Sequence, residues 1–118
     1  MISCRQQLKE ERAAHTTALR TEAERLAGAA AALGVQRVIL FGSLAKGDPG
    51  LLSDLDLLVV WDTPLDYLDR TVELYRQLDP QGPVDILVYT PQELAEMSDR
   101  PFIRKILEEG EILYEAAG

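Results

Sequence analysis

From Asp54 the chain reads Asp-Leu-Asp-Leu-Leu-Val-Val, two carboxylates two residues apart followed by a run that is apolar at every position. Side chains alternate across a strand, so Asp54 and Asp56 point one way and Leu55 the other. A strand that is apolar on both faces beyond its acidic start has to be covered on both sides, which calls for a sheet flanked by helices. Two like charges held so close resist ionising together unless a cation neutralises them. Hard carboxylate oxygens with water and phosphate as co-ligands suit magnesium, which seldom sits in an all-protein cage.

Ser43 stands before that pair with ten residues between, inside the run Gly42-Ser43-Leu44-Ala45-Lys46-Gly47. Gly42 has no side chain, so a phosphate can approach its backbone. Ser43 offers a hydroxyl and a natural N-cap for a short helix whose free N–H groups attract anions. Lys46 adds positive charge in the same turn. A third carboxylate has a comparable setting: Pro83-Val84-Asp85-Ile86-Leu87-Val88-Tyr89 reads as another strand, and Asp85 is its only charge. Taken singly these pieces are ordinary, since Gly-Ser is usually a turn and Asp-x-Asp is common at strand starts. Their combination in this order carries the reading. Ser53 is read only as a brace for the loop.

The glycine-serine pair, ten intervening residues, Asp-x-Asp and a later strand-borne Asp resemble the minimal nucleotidyltransferases of the DNA polymerase β superfamily. The resemblance runs from Val38 to about Thr90, and the tail from Phe102 to Tyr114 is similar as well. It implies Asp54, Asp56 and Asp85 as catalytic metal ligands, with Gly42 and Ser43 at the phosphate. It also implies a small mixed sheet of three or four strands flanked by helices, an α/β (α+β) fold with a long N-terminal helix.

At 118 residues the expectation is a single domain, with the N-terminal helix in 1–33, the catalytic core in 35–90, and C-terminal helices with a short edge strand in 91–118. Formal net charge is −8, from 12 basic and 20 acidic side chains, and residues 1–41 hold six of the former and four of the latter. The remainder is therefore strongly acidic, with no basic track of the kind a long nucleic acid needs to displace its counterions. A nucleotide arriving with its own magnesium needs none. The single cysteine, Cys4, forbids an intrachain disulfide, and charges at Arg5, Lys9, Glu10, Glu11 and Arg12 argue against a signal peptide or membrane span. The cytoplasm is the expected compartment. Cys4 and the lone His15 are read as incidental to the chemistry.

Leu19, Ala23, Leu26, Ala30 and Leu33 recur at steps of four and three, marking one face of a helix from about Ser3 that Gly34 stops, with the stretch before Thr16 less periodic and prone to fray. Strands are expected over Val35–Phe41, Asp54–Trp61 and the Asp85 segment. Between the last two lies a helix over Pro64–Leu78 with Leu65, Leu68, Val72 and Tyr75 inward. Thr90-Pro91-Gln92-Glu93 has the capping-box pattern, Asp99-Arg100-Pro101 opens a further helix that ends at Gly110, and Ile112–Tyr114 forms a small strand. Phe102, Ile103, Ile106, Leu107 and Leu113 are assigned to the core. The four tyrosines are read as packing residues with polar tips, one of them a candidate to stack on a base.

With metals bound, the reaction such a site supports is in-line attack of an acceptor hydroxyl on the α-phosphorus of a nucleoside triphosphate, with release of pyrophosphate. The resemblance places Asp85 nearest the acceptor. It further implies two Mg2+ ions, ATP as substrate, and an acceptor supplied by a second protein: small single-domain relatives pair with a HEPN-domain ribonuclease toxin and silence it by AMP transfer. Two rivals stand beside that reading. One is nucleotidyl transfer to a small molecule such as an aminoglycoside, with a homo-oligomer building the pocket; the other is a non-catalytic nucleotide-binding module that masks its partner by contact.

Overall fold

The computed structural model describes residues 3–46 and 55–117. Its elements are α1 (Cys4–Ala32), β1 (Arg37–Phe41), β2 (Leu55–Val60), α2 (Tyr67–Leu78), β3 (Val84–Tyr89), α3 (Pro91–Met97), α4 (Pro101–Glu109) and β4 (Glu111–Glu115). The four strands form one mixed sheet in the order β3-β2-β1-β4. β1 is antiparallel to both β2 and β4, whereas β2 and β3 run parallel and use α2 as their crossover. The α/β expectation, with its long first helix and edge strand, matches this arrangement.

The side chain of Ser3 caps α1, accepting a hydrogen bond from the Gln6 N–H at 3.1 Å. At the far end Gly34 takes φ +86° and donates its N–H to the Ala31 carbonyl at 3.0 Å, a left-handed stop that a glycine enters without strain. Ala23, Leu26, Ala27 and Ala30 are buried, and Leu19 and Leu33 pack at the margin. The stretch before Thr16 continues the same helix, but residues 3–14 are all exposed and packing begins only at His15.

The sheet separates two apolar layers. On one face Val38, Leu40, Leu55, Leu57, Val59, Ile86 and Val88 pack beneath α1 and α2. On the other, Ile39, Leu58 and Val60 meet Leu94 of α3 and Ile103 and Ile106 of α4. The doubly apolar β2 is thus buried from both sides, as its sequence requires.

Two expectations about packing are corrected. Leu65, Leu68 and Val72 do not face inward: Leu68 is 70% exposed, and the buried residues of α2 are Arg70, Leu74 and Leu78, with Tyr75 packed beside them. The helix is rotated because a charged residue occupies a core position. Arg70 donates to the carbonyls of Leu65 (3.1 Å) and Val88 (3.4 Å) and makes a two-pronged pair with Glu93 at 2.5 and 3.3 Å, so every nitrogen of the buried guanidinium has a partner. The second correction is Phe102, which is 58% exposed while Ile103 and Ile106 are buried and Leu107 and Leu113 partly so.

Two devices tie α2 to its surroundings. Arg25 of α1 donates to the carbonyls of Leu78 (3.2 Å) and Asp79 (2.9 Å), and Glu22 accepts from the Gln81 N–H at 2.6 Å, so α1 clamps the turn into β3. The Tyr75 hydroxyl donates to the Val84 carbonyl at 2.8 Å and accepts from the Ile86 N–H at 3.2 Å. The capping box at Thr90 and Glu93 forms as expected, and Glu93 therefore serves both the α3 N-terminus and Arg70. Its carboxyl titrates below the usual range, first because of Arg70 and then because of the Thr90 N–H. Among the described residues no helix is long and apolar enough to cross a membrane.

Candidate active site

Register brings three residues into one row. Phe41 pairs with Asp56 across β1 and β2, and Asp56 pairs with Asp85 across β2 and β3. Directly paired residues on neighbouring strands share a face, with strands about 4.8 Å apart. The face is that of Ile39 and Leu58, while Leu55 and Leu57 turn to the opposite layer. Asp56 is half-buried and Asp85, at the open end of its strand, is exposed. Asp54 lies outside the described residues. Among those described, no group of three or more His, Cys, Asp or Glu side chains forms a ready cage for a metal.

Gly42 follows directly on this row. Its φ is +80°, and a Cβ built there would land on Asp56 Oδ2 and stand 3.1 Å from its Cγ. Only glycine allows the chain to turn this tightly over the carboxylate. From Gly42 the chain makes a single turn rather than the short helix expected, closed by the Lys46 N–H donating to the Gly42 carbonyl at 3.3 Å. Leu44, 1% exposed, anchors that turn in the core, which leaves Ser43 half-buried and Lys46 exposed beside the row.

A groove of about 330 Å³ opens alongside, lined by Phe41, Gly42, Ala45, Lys46 and Asp56 from the β1 side and by Phe102, Lys105, Ile106, Glu109 and Gly110 from α4 and its end. Gly110 is as constrained as Gly42: a Cβ there would meet the Ile106 carbonyl and Ile39 Cγ2, both at 2.5 Å. This close seating on β1 holds the end of α4 over the groove. The structure therefore brings Gly42, Lys46 and Asp56 to one cavity and sets Asp85 on the other side of Asp56.

Sequence reasoning missed the α4 contribution. Phe102, Lys105, Ile106 and Glu109 stand at i, i+3, i+4 and i+7, one stripe of a helix, and that spacing was a readable signal. None of the four tyrosines lines the groove, whose aromatic residues are Phe41 and Phe102.

A mixed sheet that sets carboxylates on neighbouring strand ends beside a glycine turn is the arrangement of a nucleotidyl-transfer domain. Residues 29–117 match the family described as Polymerase beta, Nucleotidyltransferase, and the chain belongs to that family. It is 38% identical over 82 residues to a protein of Methanocaldococcus jannaschii named "putative protein adenylyltransferase", a match that covers 68% of this chain and 79% of that protein. Its fold is similar to the crystal structure of a "putative nucleotidyltransferase" from Sulfolobus solfataricus. There the TM-score is 0.67 at 20% identity, covering 89% of this chain and 87% of the other.

Proposed function

We propose that this nucleotidyltransferase moves AMP from ATP to a hydroxyl of a second protein, with magnesium held by Asp54, Asp56 and Asp85. The observation that carries the reading is the row Phe41–Asp56–Asp85, in which two carboxylates share a face and Gly42 is pressed against one of them. Paired hard-oxygen donors beside a groove with room for phosphate fit magnesium. When bound, the metal would lower the pKa of the acceptor hydroxyl and offset charge on the leaving pyrophosphate.

The protein's own groups divide the rest of the work. Gly42 and Ser43 approach the phosphates through backbone and hydroxyl, and Lys46 supplies a cation at the same turn. Asp85 is exposed on the side of Asp56 away from the groove, which supports a role in meeting the acceptor and taking its proton. The acceptor oxygen forms a bond to the α-phosphorus as the α–β bridging bond breaks and pyrophosphate leaves.

That the acceptor is a protein draws support from the name of the M. jannaschii relative and from the chain's 20 acids against 12 bases, which disfavour a long nucleic acid. A HEPN-domain toxin in the cytoplasm is the partner we favour. The test is incubation with magnesium, α-labelled ATP and the candidate partner, read by intact mass, with Asp56→Asn in parallel. AMP increments on the partner that disappear in the variant support the reading. A stable complex with no increment in the wild type would replace it with a module that masks its partner by contact.

A further inference from the structure

Phe102 is a large aromatic left mostly in solvent on a helix whose neighbouring Ile103 and Ile106 are buried. It meets Phe41 edge to face, with ring centroids 6.0 Å apart and planes at 86°. The pairing fixes the ring at the wall of the groove, and more than half of its surface remains uncovered. The cavity beside it, about 330 Å³, falls within the range of small-ligand sites. Most of its walls are carbon, from Phe41, Ala45, Phe102 and Ile106.

Charge in the groove is uneven. In the acidic stretch after Phe41 there are six basic side chains: Lys46, Arg70, Arg76, Arg100, Arg104 and Lys105. Arg70 and Arg76 are bound to Glu93 and Glu73. Lys46 and Lys105 instead line the groove, one from the turn after β1 and the other from α4. The acids of the lining are Asp56, read above as a metal ligand, and Glu109, one turn beyond Lys105 on the α4 stripe.

We infer that this groove is the nucleoside seat, in which Phe102 stacks on the base and Lys105 joins Lys46 at the phosphates, making α4 the base-side wall of the site. The inference rests on the reading of Asp56 and Asp85 as a metal–nucleotide centre. It adds residues that lie outside the Gly-Ser and Asp-x-Asp pattern. Stacking on an aromatic ring tolerates any base, because every base offers a π face.

The test is equilibrium titration calorimetry with magnesium, using ATP and inorganic tripolyphosphate as probes. Phe102→Ala should weaken ATP binding roughly 5- to 150-fold and leave tripolyphosphate binding unchanged, and Phe102→Trp should retain wild-type affinity for ATP. Lys105→Ala should weaken both probes. Wild-type affinity for ATP in Phe102→Ala, or equal loss for both probes, would overturn the base assignment. Loss confined to ATP in Lys105→Ala would overturn the phosphate assignment. If the wild-type protein binds neither probe, the metal–nucleotide reading itself has failed, an outcome distinct from the failure of Phe102 alone.

Discussion

Replacing Gly42 with alanine tests the geometry on which the site depends. The substitution has two separable costs. A left-handed φ of +80° costs an L-residue about 1–2 kcal/mol. The new methyl would also collide with the Asp56 carboxylate, forcing that side chain from its preferred rotamer at about 0.5–1.5 kcal/mol. Together they predict a loss of about 1.5–3.5 kcal/mol, read as a lower urea midpoint at unchanged slope. In an Asp56→Ala background the carboxylate is gone and only the backbone cost remains, so the cycle should show a coupling of about 0.5–1.5 kcal/mol. Nucleotide transfer should fall further than stability does, because a carboxylate misplaced by about 1 Å costs on the order of a hundredfold in rate. If Gly42→Ala costs the same in both backgrounds, the close approach of Gly42 to Asp56 does not govern the site and the reasoning fails.

The phase of α2 predicts a sharp contrast between neighbouring leucines: Leu74→Ala, at a fully buried position, should cost about 2–5 kcal/mol, whereas Leu68→Ser should fall within about 0.5 kcal/mol of wild type in urea unfolding. The lowered pKa of Glu93 predicts pH dependence as well. Since the folded value lies below the ordinary 4.5, its contribution is present above that pH and is lost as pH falls through the folded value. Glu93→Gln should flatten this part of the acid limb in a series of urea midpoints, and an unchanged limb would sink the assignment.

Elements whose signals are local were legible in the chain. The α1 face, its stop at Gly34, the Thr90 capping box and the alternation that separates Asp56 from Leu57 all depend on near neighbours. The α2 phase was not legible, because Arg70 can be buried only where Glu93 of α3 and the carbonyls of Leu65 and Val88 receive it, and two of those partners come from later elements. Phe102 was misassigned for a related reason: one turn of α4 presents both Ile106 and Lys105, and only the placement of the helix over β1 decides which flank opens onto the groove. Strand order was likewise hidden, since the same segments admit other pairings. Of the residues singled out for chemistry, Gly42, Lys46 and Asp56 meet at one cavity with Asp85 in the adjoining register position, and Asp54 lies outside the described residues.

The row Phe41–Asp56–Asp85 crosses three strands, and its groove is closed by a helix that follows all of them in sequence. No hairpin or single crossover unit contains the whole set. A folding intermediate built from α1 and β1, or from β2, α2 and β3, would hold parts of the row without the groove. The proposed nucleotide site would therefore be complete only in the fully folded chain, and a ligand bound there would add to the free energy of global unfolding.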